Sequence, residues 1–198
     1  MQIIFATGNQ GKLREIRAIL KDANVEVLSM AEAGFTGDIE ENGTTFEENA
    51  LIKARTIAKE TGLLTLADDS GLVIDYLNGE PGIYSARYLG ENTPHSVKNP
   101  NLIARMQSVP DEKRTARFVC AVAAVLPDGT ERTVQATMEG RIAYKEAGEN
   151  GFGYDPIFYL PEYDCTSAQL SPEEKNKISH RGKALRAMCK LLSDEHII

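Results

Sequence analysis

Two neighbouring carboxylates, Asp68 and Asp69, lie in the segment TLADDSGLVID at positions 65–75, between two apolar runs. A second acidic pair, Glu40 and Glu41, stands in a loop upstream. Because Mg²⁺ takes oxygen ligands and keeps several of its waters, the two pairs fit a magnesium site. Adjacent strand residues point to opposite sides, so at most one Asp faces a given ligand directly. The alternative is a turn in which the Asp pair caps local backbone N–H groups.

The segment ATGNQGKLREI, at positions 6–16, has the order of an anion-binding turn. An apolar strand enters a Gly-containing turn and then a helix, whose first backbone N–H groups and dipole favour a negative ligand. Thr7, Asn9 and Lys12 add side-chain donors. The spacing G-x-x-G-K-L differs from the P-loop pattern G-x-x-x-x-G-K-[ST]. An ordinary strand–helix connection is the alternative.

A Gly-aromatic segment, GFGYDP at positions 151–156, has the composition of a base-binding loop. Its glycines let the backbone approach a flat ligand closely. Phe152 and Tyr154 are able to stack on a base, and Asp155 is able to accept a hydrogen bond from a base N–H. The alternative is a turn of the same composition that binds nothing.

A locally basic segment, EEKNKISHRGKALR at positions 173–186, stands in a chain whose net charge is −7. Lys175, His180 and Arg181 lie near a predicted break between two helices, where they could bond a purine edge or a phosphate. The alternatives are a solvated helix face and a structural histidine.

Helices and strands alternate early in the chain, and a hairpin follows in the middle. A helix is predicted over about residues 45–61, with Thr45 and Glu48 as a capping box and Gly62 as its end. Asn49 and Lys53 fall on the edge of its apolar face, where the lysine could reach into a cleft or extend to water. Other helices are predicted to follow residue 9, to begin at Asn99 as N-cap, to begin at Ser171, and to cover 180–194.

Apolar runs predict the strands of the sheet. They cover 2–6, 25–28, 63–67, 72–77, 115–126, 131–138 and 140–144, and residues 150–159 are a Gly-rich loop that enters a further strand. This order predicts an α/β fold with a mixed β-sheet and flanking helices.

Composition sets the broad class of protein. With 198 residues, 42% of them hydrophobic, the chain fits one domain or one domain with two lobes. The negative charge argues against broad binding to nucleic acid, and the absence of a long apolar run argues against a membrane span. Three scattered cysteines and an N-terminus without signal-peptide features indicate a cytoplasmic protein with reduced thiols.

Together these segments describe a nucleoside triphosphate site, and their order makes the interpretation specific. The chain resembles the bacterial XTP/dITP diphosphatases, the inosine triphosphate pyrophosphatase family, from about residue 2 to 192. The segments that carry the resemblance are TGNQGKLREI, ENGTTFEENALIKA, ADDSGL, PGIYSARY, GFGYDPIF and EEKNKISHRGKAL.

The resemblance implies a single elongated, two-lobed domain over residues 1–198 with a central substrate cleft, and a homodimer. It implies Mg²⁺-dependent hydrolysis of ITP, dITP and XTP to the monophosphate and pyrophosphate. Asp69 is then the general base and a metal ligand, Glu40 or Glu41 is a further metal ligand, and Asp68 has a supporting role. The substrate-binding residues that it implies are Thr7, Gly8, Asn9, Gln10, Gly11, Lys12, Lys53, Ser70, Phe152, Gly153, Tyr154, Asp155, Lys175, His180 and Arg181.

Two other functions fit the same segments. One is a nucleotide sensor that binds ITP without turnover. The other is a related hydrolase that acts on modified pyrimidine nucleotides. Identification of the products from a panel of nucleotides separates all three.

Overall fold

In a computed structural model, residues 1–21, 23 and 25–198 are described, and over these residues the chain forms five α-helices and seven β-strands. The helices are α1 (Gln10–Ile19), α2 (Phe46–Thr61), α3 (His95–Arg105), α4 (Pro172–Ile178) and α5 (His180–Asp194). The strands are β1 (Gln2–Phe5), β2 (Glu26–Ser29), β3 (Thr65–Ile74), β4 (Thr115–Val125), β5 (Glu131–Ile142), β6 (Phe158–Leu160) and β7 (Cys165–Thr166). None of the helices in this described part is long and apolar enough to cross a membrane.

The seven strands form one mixed sheet in the order β2-β1-β3-β4-β5-β6-β7. β1 pairs in parallel with both β2 and β3, whereas β6 pairs antiparallel with β5 and β7. β4 and β5 are neighbours joined by a short turn, which only antiparallel strands permit. The predicted α/β fold with a mixed sheet is therefore confirmed.

The chain divides into two compact units. The first contains Met1–Asp69, Cys120–Ala136 and His180–Ile198, and the second contains Ser70–Val119 and Thr137–Ser179. The long strands β3, β4 and β5 each have residues in both units.

The first unit has three layers, because its strands are apolar on both faces. On β1, Ile3 and Phe5 belong to a core that includes residues of α1 and α5. The intervening Ile4, together with Ala6, belongs to a separate core that includes residues of α2. Since neighbouring strand residues point to opposite faces, α1 and α5 cover one face of the sheet and α2 covers the other.

The second unit has one core, built from its parts of β3, β4 and β5 together with α3 and β6. The rings of Phe118 and Phe158 pack at a centroid distance of 4.4 Å within it. Gly140 permits this packing, because a Cβ at that position would lie 2.6 Å from the carbonyl oxygen of Tyr159.

Four predicted boundaries are wrong. The strand predicted at 72–77 ends at Ile74 and is followed by a 3₁₀ turn at Asp75–Leu77. The Asp pair does not end a strand: β3 runs without interruption through it, and β5 likewise covers the two strands predicted at 131–138 and 140–144. α3 begins at His95 and contains Pro100, because Asn99 does not cap the helix but donates its side-chain amide to the carbonyl of Gly153. The bounds of α2, its N-cap Thr45 and its C-cap Gly62 are confirmed, but its predicted capping box does not form, because Glu48 bonds Thr44. The predicted start of α4 and its capping box are confirmed.

Arg114 is a buried charge that holds the second unit together at the start of β4. It is 1% exposed, and it donates to the carbonyls of Ile142 at 2.8 Å and Ala143 at 2.9 Å. It also donates to the carbonyl of Met106 after α3. One guanidinium therefore satisfies backbone acceptors from two separate segments.

We predict that Arg114→Met lowers the free energy of unfolding by on the order of 3 kcal/mol, because several buried carbonyls lose their donor. The matched control is Arg117→Met, three residues along, which removes ion pairs to Asp75 and Glu139 from a partly exposed side chain. That change should cost less than about 1 kcal/mol. Urea denaturation of both variants makes the comparison, and equal losses would contradict the assigned role of Arg114.

Candidate functional site

Asp68 and Asp69 lie in the middle of β3 and are both buried. Strand alternation sends their side chains to opposite faces of the sheet in the first unit. Asp68 faces Lys12 of α1 and Arg181 of α5, whereas Asp69 faces Asn49 and Lys53 of α2. Asp68 therefore contacts cations of α1 and α5, whereas Asp69 contacts one cation and a neutral amide of α2.

Asp68 is held by two cations. Its carboxylate oxygens lie 3.1 Å from the Lys12 ammonium and 3.3 Å from Nε of Arg181. Burial by itself would raise the pKa of Asp68, but Lys12 and Arg181 outweigh it and hold this pKa well below its ordinary value. Asp68 is thus a permanent anion that fixes two cationic side chains.

Arg181 extends this network to Glu15 of α1, to which its guanidinium donates a hydrogen bond. Burial would lower the pKa of Arg181, but Asp68 and Glu15 raise it. Cys120 lies behind Asp68 with its sulfur 3.9 Å from Oδ2, and burial raises the pKa of this thiol above its ordinary value. The cysteine is consequently a protonated core residue.

Asp69 contacts the Lys53 ammonium and the Asn49 amide. Its Oδ1 lies 3.7 Å from the Lys53 ammonium, and its Oδ2 accepts a hydrogen bond from the Asn49 amide at 3.2 Å. Burial raises the pKa of Asp69, and Lys53 and Lys12 only partly oppose this. Asp69 is therefore a better proton acceptor than an ordinary aspartate.

Lys53 joins Asp69 to the acidic loop. Its ammonium lies 3.0 Å from the carboxylate of Glu41 as well as 3.7 Å from Asp69. Burial would lower the pKa of Lys53, but Asp69, Asp68 and Glu41 outweigh it and raise this pKa. The two carboxylates thus converge on a single positive charge.

Glu41 and Asp69 are the two acids that the structure brings together at Lys53, and they are the candidate ligands for a divalent cation. Glu40 is exposed, whereas Glu41 is partly buried and turned toward Lys53. No group of three or more His, Cys, Asp or Glu side chains suited to a metal ion occurs in the described part of the chain. Two carboxylates fit Mg²⁺ nonetheless, because this ion keeps waters and takes further oxygens from substrate phosphates.

The turn before α1 is built largely by its own side chains. The Thr7 hydroxyl accepts a hydrogen bond from the backbone N–H of Asn9, and Asn9 caps α1 by accepting from the N–H of Lys12 at 3.1 Å. Gly8, Asn9 and Gln10 are exposed at the beginning of the helix. The arrangement is suited to an anion, which the helix N-terminus attracts.

In the second unit, Asp155 organises the predicted base-binding loop. This carboxylate is 3% exposed and accepts hydrogen bonds from the backbone N–H of Phe152, the Ser167 hydroxyl and the Lys175 ammonium, at 2.9, 2.8 and 2.6 Å. Gly151 allows the loop to close, because a Cβ there would lie 2.2 Å from Asp155. Asp155 therefore shapes the loop as well as being the candidate base contact.

The aromatic residues of this loop differ in exposure. Phe152 is partly exposed, and the Lys175 ammonium lies 5.0 Å from the centre of its ring. Tyr154 is buried, donates its hydroxyl to the Ser85 carbonyl and meets the edge of His95. Phe152 is consequently better placed than Tyr154 to stack on a planar ligand.

The predicted residues thus fall into two groups. Thr7–Lys12, Glu41, Lys53, Asp68, Asp69, His180 and Arg181 belong to the first unit. Ser70, Phe152–Asp155 and Lys175 belong to the second. His180 and Arg181 are buried at the start of α5.

The sequence predictions missed the roles of two residues. The sequence predicts no role for Glu15, because its partner Arg181 lies in α5, which only the fold brings near. The sequence predicts that Asn49 lies beside Lys53 on the edge of α2, but it predicts no function for this residue. Its spacing of four residues from Lys53 put both on one side of the helix, and only the fold shows that Asp69 lies opposite them.

The chain is similar to known proteins over nearly its whole length. The Ham1 family matches residues 3–191. Proteins named dITP/XTP pyrophosphatase from Bacillus licheniformis and Vibrio parahaemolyticus are 49% and 50% identical to this chain. The alignments cover 96% and 97% of this chain, and 97% and 96% of those proteins.

A solved structure leads to the same family. The Staphylococcus aureus Ham1 protein is similar with a TM-score of 0.88 and 43% identity, over 98% of this chain and all of that one (100%). The resemblance found in the sequence is therefore confirmed, and the chain belongs to the Ham1 family.

Proposed function

We propose that the protein is a Mg²⁺-dependent nucleoside triphosphate pyrophosphohydrolase. Its substrates are deaminated purine nucleotides, dITP, ITP and XTP or dXTP, which it converts to the monophosphate and pyrophosphate before polymerases use them. The names of its relatives support the substrate class. The single observation that carries the chemistry is the convergence of Glu41 and Asp69 on the Lys53 ammonium.

The triphosphate is bound by the turn Thr7–Lys12 and by nearby cations. Backbone N–H groups at the start of α1 bind phosphate oxygens, and the Lys12 and Lys53 ammonium groups balance their charge. Asp68 holds Lys12 in place. Ser70, directly after Asp69, is a further substrate contact.

Asp69 acts as the general base. A water molecule attacks the α-phosphorus, and the bond from that phosphorus to the oxygen bridging to the β-phosphorus breaks. Pyrophosphate leaves with the bonding electrons, and the proton of the water passes to Asp69. The pKa of Asp69, raised by burial, makes this carboxylate a stronger acceptor for that proton.

Glu41 and Asp69 would hold the magnesium ion. When bound, Mg²⁺ neutralises charge on the phosphate oxygens and acidifies the attacking water. We prefer Glu41 to Glu40 as the ligand because Glu41 already shares the Lys53 ammonium with Asp69.

The base is recognised in the second unit by the loop Phe152–Asp155 and Lys175, whereas His180 and Arg181 of the first unit are further substrate-binding residues that the family resemblance implies. Phe152 stacks on the ring, and the Lys175 ammonium donates to the 6-oxo group that hypoxanthine and xanthine share. Adenine carries an amino donor at that position, and a donor facing a donor costs on the order of 1–3 kcal/mol. Discrimination against ATP and dATP follows from this mismatch.

The proposal includes three further properties. A homodimer is supported by large apolar side chains that are about half exposed in the second unit, namely Tyr76, Tyr84, Leu89 and Val97. A cytoplasmic location is supported by the three free cysteines. The net charge of −7 argues against a nucleic acid or an anionic membrane surface as the partner, and it permits a small nucleotide that local cations bind.

The purified protein with Mg²⁺ should release pyrophosphate from dITP at least about tenfold faster than from dATP, as expected for a donor mismatch at the base. Product identification over a panel of purine and modified pyrimidine nucleotides is the measurement. Release of orthophosphate, or nucleotide binding without turnover, would refute the proposed reaction.

Asp69→Asn should lower kcat by about 10²- to 10⁴-fold, because the amide cannot accept the proton. Binding of dITP, measured by calorimetry, should change little. Asp128→Asn in the exposed turn after β4 makes the same carboxylate-to-amide change and should leave kcat unaltered. Turnover that survives in Asp69→Asn would exclude this residue as the base.

Lys53→Met should bind Mn²⁺ roughly tenfold more tightly than the wild type in the nucleotide-free protein, because a positive charge leaves the neighbourhood of Glu41 and Asp69. Turnover of dITP should fall at the same time, since a phosphate contact is lost. Lys59→Met removes an exposed lysine from the same helix and is the control for overall charge. Electron paramagnetic resonance of Mn²⁺ measures the binding, and equal affinities in all three proteins would contradict this metal site.

A further inference from the structure

Asn49 is a buried amide whose side-chain oxygen and nitrogen both have partners. It lies near the beginning of α2 and is 1% exposed. Its Nδ2 donates to Oδ2 of Asp69 at 3.2 Å, and its Oδ1 accepts from the backbone N–H of Gly43 at 2.8 Å. One side chain therefore connects the middle of β3 to the acidic loop.

Asn49 and Lys53 contact different oxygens of the same carboxylate. They are four residues apart on α2, so their side chains leave the helix on one side. Asn49 contacts Oδ2 of Asp69 and Lys53 faces Oδ1. The hydrogen bond that Asn49 donates to Oδ2 opposes rotation of the Asp69 carboxylate. It therefore keeps Oδ1 directed toward the Lys53 ammonium, which Glu41 also contacts.

The other partner of Asn49 positions the acidic loop. Gly43 lies two residues after Glu41, and the loop passes close to α2 at this point. A Cβ on Gly43 would lie 2.7 Å from Oδ1 of Asn49 and 2.8 Å from the Cβ of Glu48. A residue without a side chain is thus required for the loop to reach Asn49.

We infer that Asn49 is a positioning residue for the metal-dependent reaction, an inference that rests on the proposed function. It acts through Asp69 and through the loop that carries Glu41, and it sets the distance between these two carboxylates. Hydrogen-bond partners of metal-ligating side chains commonly contribute 10–100-fold to metal affinity or activity. A role of that size requires no contact between Asn49 and the substrate.

The test is Asn49→Leu, a change of similar volume that removes both hydrogen bonds. We expect the dissociation constant for Mn²⁺, measured by electron paramagnetic resonance on the nucleotide-free protein, to rise about 10–100-fold. We expect kcat for dITP to fall by a similar factor, while KM changes less than about threefold, because Asn49 orders the catalytic groups and does not bind the nucleotide.

Two further variants separate positioning from general stability. Ile57→Val trims a fully buried residue of the same helix and should lower the melting temperature without changing Mn²⁺ affinity or kcat. Gly43→Ala leaves Asn49 intact but pushes the loop away from it, and it should weaken Mn²⁺ binding in the same direction as Asn49→Leu. If Asn49→Leu fails to fold, Gly43→Ala decides the question.

The results that overturn the inference are distinct from those that refute the proposed function. If both Asn49→Leu and Gly43→Ala kept the Mn²⁺ affinity and the kcat of the wild type, Asn49 would have a structural role only. A wild-type protein that yields no pyrophosphate from dITP would refute the reaction, and the Mn²⁺ measurements would still decide whether Asn49 positions the two carboxylates.

Discussion

The central constraint in this molecule is the burial of two adjacent carboxylates in the middle of a strand. An ionised carboxylate is costly to remove from water unless positive charge and hydrogen bonds compensate it. Because Asp68 and Asp69 point to opposite faces of β3, compensation must come from both faces. α1 and α5 supply it on one face and α2 on the other, so the three-layer arrangement of the first unit is a condition for the charge pair.

The same constraint gives the two residues different chemistry. Asp68 is paired with a lysine and an arginine, and these hold its pKa down against burial. Asp69 has one ammonium and one amide, and burial raises its pKa despite the lysine. One side of the strand therefore carries a fixed anion that orders cations, and the other carries a carboxylate suited to receive a proton. Asp68 and Asp69 are identical residues, and their pKa values shift in opposite directions because different helices cover the two faces of β3.

Sequence alone predicted the parts of this arrangement that depend on local pattern. The caps of α2, the apolar runs of β1 and β4 and the turn before α1 all follow from neighbouring residues. The continuity of β3 did not follow, because two aspartates resemble a turn until their partners are known. One of those partners, Arg181, is 113 positions away in the chain. The roles of Asn49 and Glu15 were missed for the same reason, since each depends on an element that only the fold brings near.

Lys53 links the nucleotide-free protein to the proposed reaction. In the proposed site, a metal ion at Glu41 and Asp69 would take the oxygens that contact the Lys53 ammonium, so the two cations would compete. The ammonium would then need another anion, which the triphosphate would supply. If nucleotide draws Lys53 away from the carboxylates, it strengthens metal binding, and by linkage the metal strengthens nucleotide binding to the same extent. Glu41 and Asp69 would therefore have a positive charge beside them whether or not substrate is present, which reconciles the burial of Asp69 in β3 with its proposed role as a metal ligand.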